Sequence, residues 1–109
     1  QLNHAVVDSG GAGAAVYSLV VDPGDSVATL DCLDADGCEV TLSETNAVPG
    51  QRLVILCTAA TAGATTLKHS AGVVNLYNSA DRVLPIGDAI EVVYIASTWS
   101  QIGNYDSAP

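Results

Sequence analysis

Apolar and polar residues alternate along most of this chain, and the alternation is clearest in two early segments. In Ala15 to Val21, Val16, Ser18 and Val20 fall on one face of an extended strand and Tyr17, Leu19 and Val21 on the other. In Ser26 to Leu33, Val27, Thr29 and Asp31 oppose Ala28, Leu30 and Cys32. A period of two puts successive side chains on opposite sides of a sheet, so each segment has a wetter and a drier face. Arg52 to Thr58 and Ala89 to Ala96 are rich in β-branched and apolar residues, are launched by turns and are too short for typical helices. The same signals predict strands over 38–42, 65–69, 73–77 and 99–103.

Turn residues punctuate these runs. Asp22-Pro23-Gly24-Asp25 places Pro second and Gly third, Asp36-Gly37 reads as a hairpin turn, and Ser70-Ala71-Gly72 separates two short strands. Pro85 cannot serve a central strand, because it has no N–H for the ladder, so Leu84 to Asp88 is a bend that restarts the sheet. Gly24, Gly50 and Gly87 each open a Gly-polar-x-apolar run with a Pro just before it, and Asp88 is the polar residue of the last. This reuse of turn chemistry predicts strands that turn at one rim. The expected fold is all-β: a small antiparallel sandwich or barrel-like domain of about seven or eight strands.

Residues Gln1 to Ala14 read differently. Their Gly/Ala-rich end has little preference for strand or helix, so 1–14 is expected to be an extended N-terminal arm and linker, with 15–109 a single β domain. Leu2, His4, Val6 and Val7 are the arm residues expected to meet a partner chain. A chain of 109 residues buries roughly 65% of its unfolded surface, which suits one core.

Composition narrows the function. Three Lys and Arg against twelve Asp and Glu give a net charge of −9, which opposes binding to nucleic-acid phosphates. No apolar run approaches the ~20 residues needed to cross a bilayer as a helix, and the first residues lack the basic and apolar regions of a signal peptide. Phe and Met are absent, so the core must be built from small branched side chains. Trp99 follows the Ser97-Thr98 turn and is expected to be a packing residue rather than a ligand platform.

Cys32, Cys38 and Cys57 contain no CxxC pair, which disfavours a zinc ribbon or a thioredoxin-type motif. Cys32 and Cys38 flank the Leu33 to Gly37 loop and are a candidate disulfide across two hairpin strands, although a particle assembled inside a cell starts out reduced. Cys57 alternates with Leu53 and Ile55 and reads as a buried apolar residue. Asp34 and Asp36 echo a calcium loop, but its first ligand position is Cys32 and its twelfth is Ser43, so the bidentate Glu is missing. No nucleophile elbow, HExxH or phosphate-cradling loop occurs. Neither an enzyme nor a cofactor is expected, while a Ser/His/Asp triad is recognised only by geometry. Lys68, His69, Asp81 and Arg82 read as surface contacts.

A Pro-Gly-Gln opening into an apolar strand, a polar Thr/Lys/His strand, a short apolar strand, then Gly-Asp-x-Ile-x-Val-x-Tyr and a Trp together resemble the β-rich modules of tailed-phage fibre, head-fibre and capsid-decoration proteins. The residues that carry the resemblance are Pro49, Gly50, Gln51, Gly87, Asp88, Ile90, Val92, Tyr94 and Trp99. It implies a structural protein of the virion surface: a capsid decoration or head-fibre protein anchored by its arm to the capsid protein or another virion protein. The alternative is a tail-fibre or receptor-binding module that recognises a bacterial surface glycan or protein. Both faces of 52–58 and 89–96 are apolar, which predicts either a two-sided core or cover by a second subunit. The resemblance makes that assembly a homotrimer.

Overall fold

The computed structural model describes residues 2–7, 13–60 and 63–106. Among them are ten strands: β1 (Leu2–Val7), β2 (Ala15–Leu19), β3 (Val27–Cys32), β4 (Cys38–Leu42), β5 (Arg52–Ala60), β6 (Thr65–Leu67), β7 (Val74–Asn75), β8 (Arg82–Val83), β9 (Ala89–Ile95) and β10 (Thr98–Tyr105). A six-stranded sheet runs β1-β3-β5-β9-β10-β7, and a four-stranded sheet runs β2-β4-β6-β8. Their facing sides share one core, which includes Ala28, Leu30, Leu53, Ile55, Ile90 and Val92 from the first sheet and Leu19, Val40, Leu42 and Leu67 from the second. The fold is an all-β sandwich, and the alternating residues of β2 and β3 face as expected.

The expected antiparallel pairing is corrected. Five strand pairings are parallel; three are antiparallel, namely β5 with β9, β9 with β10, and β6 with β8. From β1 to β6 the chain alternates between sheets, so odd strands collect in one and even strands in the other. Parallel neighbours need a long crossover between them. Here the intervening strand in the opposite sheet is that crossover, and the first half of the domain is a flattened coil.

The Leu33 to Gly37 loop is therefore a passage between sheets and not a hairpin. Gly37 N–H donates to the Asp34 carbonyl at 3.1 Å, and Asp36 N–H donates to the Asp34 carboxylate at 2.8 Å. Cys32 ends β3 in one sheet, Cys38 begins β4 in the other, and a disulfide joins them with their Cα atoms 6.0 Å apart. The bond ties the two layers together. Successive passages stack: Ala15 N–H donates to Gly37 O, and Cys38 N–H to Ala64 O, each at 2.9 Å. A Cβ on Gly63 would lie 2.0 Å from the Gly37 nitrogen, so glycine is required where these backbones cross.

Two further expectations change. Gly50 and Gly87 have φ of +86° and +91°, and their turns close through Gln51 N–H to Val48 O and Asp88 N–H to Pro85 O, both at 2.9 Å. Because β9 runs antiparallel to β5, however, the Gly87 turn lies at the rim opposite those of Gly24 and Gly50. The second change is the arm. Leu2–Val7 pairs in parallel with all of β3, from Leu2 opposite Val27 to Val7 opposite Cys32, and Ala5 is buried in the core. Asn3 Nδ2 donates to Val20 O at 3.0 Å and lies 3.1 Å from an Asp25 carboxylate oxygen, fixing β1 to the turn before β3. Residues 8–12 of the expected linker lie outside the described residues.

Candidate functional site

Two surfaces hold side chains that the core does not use. The first is the outer face of the six-stranded sheet. Register places Leu2 beside Val27 and Val27 beside Val54, with Leu56 opposite Ala89 and Arg52 opposite Val93 one row to either side. Val93 and Ala89 are nearly enclosed by their neighbours, whereas Leu2, Val6 and Ile95 are 62%, 54% and 56% exposed. A shallow depression of about 290 Å³ lies between Val54, Glu91, Gly103 and Tyr105. The four-stranded sheet covers the opposite side, and among the described residues nothing lies over this one.

At one end of that face, His4 Nδ1 is 2.5 Å from the Thr29 hydroxyl and Nε2 is 3.3 Å from the Asp31 carboxylate. Hydroxyl, imidazole and carboxylate thus meet in the order of a hydrolytic triad. The surroundings do not complete one. Thr29 lies mid-strand, and the β3 backbone is flanked by ladders to β1 and β5, so its amides are not free to hold an oxyanion. The cluster fastens β1 to β3.

The second surface is a polar cleft of about 320 Å³ where the chain leaves β7 for β8, lined by Tyr77, Asn78, Asp81, Arg82, Gln101 and Asn104. Tyr77–Ser79 is a single 3-10 turn in which Asn78 has φ +62°; Ser79 follows at +52°. Gln101 holds this turn against β10, its Oε1 accepting from Tyr77 N–H at 2.9 Å. A bulge between Gln101 and Gly103 interrupts the β9–β10 ladder, and such bulges re-aim neighbouring side chains. Asp81 accepts from His69 N–H at 2.8 Å and pairs with Lys68 Nζ at 2.9 Å. That hydrogen bond and charge hold the Asp81 carboxyl below its ordinary pKa and the Lys68 ammonium above its own. Arg82 reaches Asp88 at 3.4 Å and Asp106 at 2.5 Å.

The family model described as the phage depolymerase C-terminal β-sandwich domain matches residues 11–100. The chain belongs to that family. Neither the curated proteins nor the solved structures gave a match. The phage depolymerase C-terminal sandwich is a structural β module of phage virions, the non-catalytic C-terminal part of proteins associated with the tail.

The residues singled out in the sequence scatter across this sandwich. Trp99 is fully buried, Cys32 and Cys38 are bonded, and Cys57 is a buried thiol. Gly24, Gly50, Gly87 and Asp88 serve turns. Leu2, His4 and Val6 stand on the outer face. The sequence does not show the cleft as a unit, since the pattern over 73–77 makes Tyr77 a strand end and Asp81 and Arg82 read as separate surface contacts. The adjacent Tyr77 and Asn78 were the available local signal.

Proposed function

We propose that this domain is a self-associating module of a tail-associated phage protein, a homotrimer on the virion surface whose subunits meet through the outer face of the six-stranded sheet. The observation that carries the reading is the apolar row Leu2, Val27 and Val54, with Leu56 in the next row, on the side of the sheet that the second sheet does not cover. Burial of each large apolar side chain in such a contact contributes about 1.5–3 kcal/mol. The threefold number rests on the resemblance to phage fibre modules.

Family membership supports the tail over a head-decoration role. The arm that was to anchor the protein to a capsid is β1, so contact with another virion protein would use an edge strand whose outward N–H and C=O groups pair with no strand among the described residues. A second reading, recognition of a bacterial surface glycan, is favoured by the polar cleft at Tyr77.

Light scattering after size exclusion tests self-association. The expected result is a trimer that Leu2→Glu and Ile95→Glu convert to a monomer with an unchanged circular dichroism spectrum. A wild-type monomer at micromolar concentration would remove the proposal.

A further inference from the structure

We infer that the cleft between the Tyr77–Ser79 turn and β10 binds a neutral saccharide, with Tyr77 as the surface on which a sugar ring lies and Asn78 and Asn104 as the groups that read its hydroxyls. The inference rests on the glycan-recognition reading and gives it a place and a ligand class.

Tyr77 is 50% exposed, whereas Tyr94 and Trp99 pack together with ring centroids 5.1 Å apart. A tyrosine at the mouth of a concave site offers a flat apolar face to the C–H groups of a sugar while its hydroxyl stays in water. Beside it stand the Asn78 and Asn104 amides, each pairing a donor with an acceptor that can match two adjacent hydroxyls. The Tyr77 hydroxyl and the Asn78 amide make no hydrogen bond to any described residue, so both are available. A cleft of about 320 Å³ lies at the small end of ligand pockets, the size of about one or two sugar rings.

The turn is also held in a costly conformation. Asn78 and Ser79 are consecutive non-glycine residues with positive φ, a state that neighbouring contacts must maintain and that concentrates at functional sites. Gln101 supplies one such contact, bonding Tyr77 N–H through Oε1 and the Gly103 carbonyl through Nε2 at 3.2 Å. The backbone of the turn is thus ordered before any ligand arrives, which lowers the ordering cost of binding.

Charge selects the class of sugar. The acid and base that line the cleft are already matched, Asp81 with Lys68 and Arg82 with Asp88 and Asp106. A net charge of −9 would repel a polyanionic polysaccharide. What remains on offer is hydrogen bonding and one aromatic face, which suit an uncharged ring.

The test is titration calorimetry of the whole chain with a panel of neutral oligosaccharides of hexoses and deoxyhexoses, alongside uronate-containing ones, using wild type, Tyr77→Ala, Tyr77→Phe and Asn104→Ala. Binding to at least one neutral oligosaccharide, weakened about tenfold or more by Tyr77→Ala and largely kept by Tyr77→Phe, supports the inference. An unchanged melting temperature in Tyr77→Ala separates lost binding from lost folding. Neutral-sugar binding that neither Tyr77→Ala nor Asn104→Ala alters would overturn the site while leaving glycan recognition standing. Salt-sensitive binding to uronates alone overturns the ligand class, and a wild type that binds no saccharide overturns both the site and the reading beneath it.

Discussion

The indole Nε1–H of Trp99 donates to the carbonyl oxygen of Ser43 at 3.0 Å, linking β10 in the six-stranded sheet to the segment that leaves β4 in the other. The side chain is 0% exposed, so its worth combines apolar burial with a hydrogen bond between layers. Trp99→Ala should cost about 3–5 kcal/mol. Trp99→Phe keeps part of the volume but strips the Ser43 carbonyl of this donor, and should cost less. Because this is the single tryptophan, its fluorescence in urea reports the unfolding directly.

The Cys32–Cys38 bond closes a short loop, with a sequence separation of 6. Loop-closure entropy for such a ring predicts a stabilisation of about 2–3 kcal/mol. Both sulfur-bearing residues are buried, so reductant should act slowly on the folded protein and quickly in urea. Melting the Cys32→Ser/Cys38→Ser double variant measures the difference, and Cys57 gives no competing pairing in the folded state because it is buried.

Ala96 and Ser97 join β9 to β10 with φ of +55° and +60°, the sign a tight primed hairpin turn demands at both positions. Neither residue favours it. Replacing the pair with Asn-Gly should stabilise the domain by about 1 kcal/mol, seen as a raised urea midpoint at unchanged slope.

Lys68 and Asp81 give the pH dependence a sign. Asp81 titrates below its ordinary 3.8 in the folded protein, chiefly through the hydrogen bond from Lys68, so its contribution is present above that value and is lost as pH falls through the depressed pKa. Lys68 titrates above 10.5, chiefly through the same hydrogen bond, so its share is present below 10.5 and is lost as pH rises through the elevated pKa. The pair is solvent-screened and the effect small. Asp81→Asn should flatten both limbs of a melting-temperature profile taken from pH 2 to 12.

Strand positions and faces were legible in the chain because a period of two decides which side chains turn inward; Leu53, Ile55 and Cys57 are buried as their spacing implies. Partners were not legible. The same alternation fits a parallel or an antiparallel neighbour, and an Asp-Gly turn at Asp36-Gly37 serves a passage between sheets as well as a hairpin. The close stacking of Gly37 on Gly63 joins residues far apart in sequence, so no local signal marks it. β1 was misread for a related reason: Leu2–Val7 looks like an arm until β3 is known to have an open edge beside it. Tyr77 reached the cleft only because Gln101, from another strand, holds its turn in place.

The alternation of β1 to β6 between layers has a kinetic consequence. Leu2 must find Val27 and Val27 must find Val54 in one sheet, while Ala15 must find Cys38 in the other, so no short hairpin can nucleate this half of the chain. β9 and β10 form a local hairpin, and they follow β1 to β8 along the chain. Such a topology folds slowly, on the scale of milliseconds to seconds. Until β9 docks, the edge of β5 carrying Leu53, Ile55 and Cys57 stays open to pairing with other chains, which makes the nascent module a candidate for misassembly at the high local concentration of a growing virion.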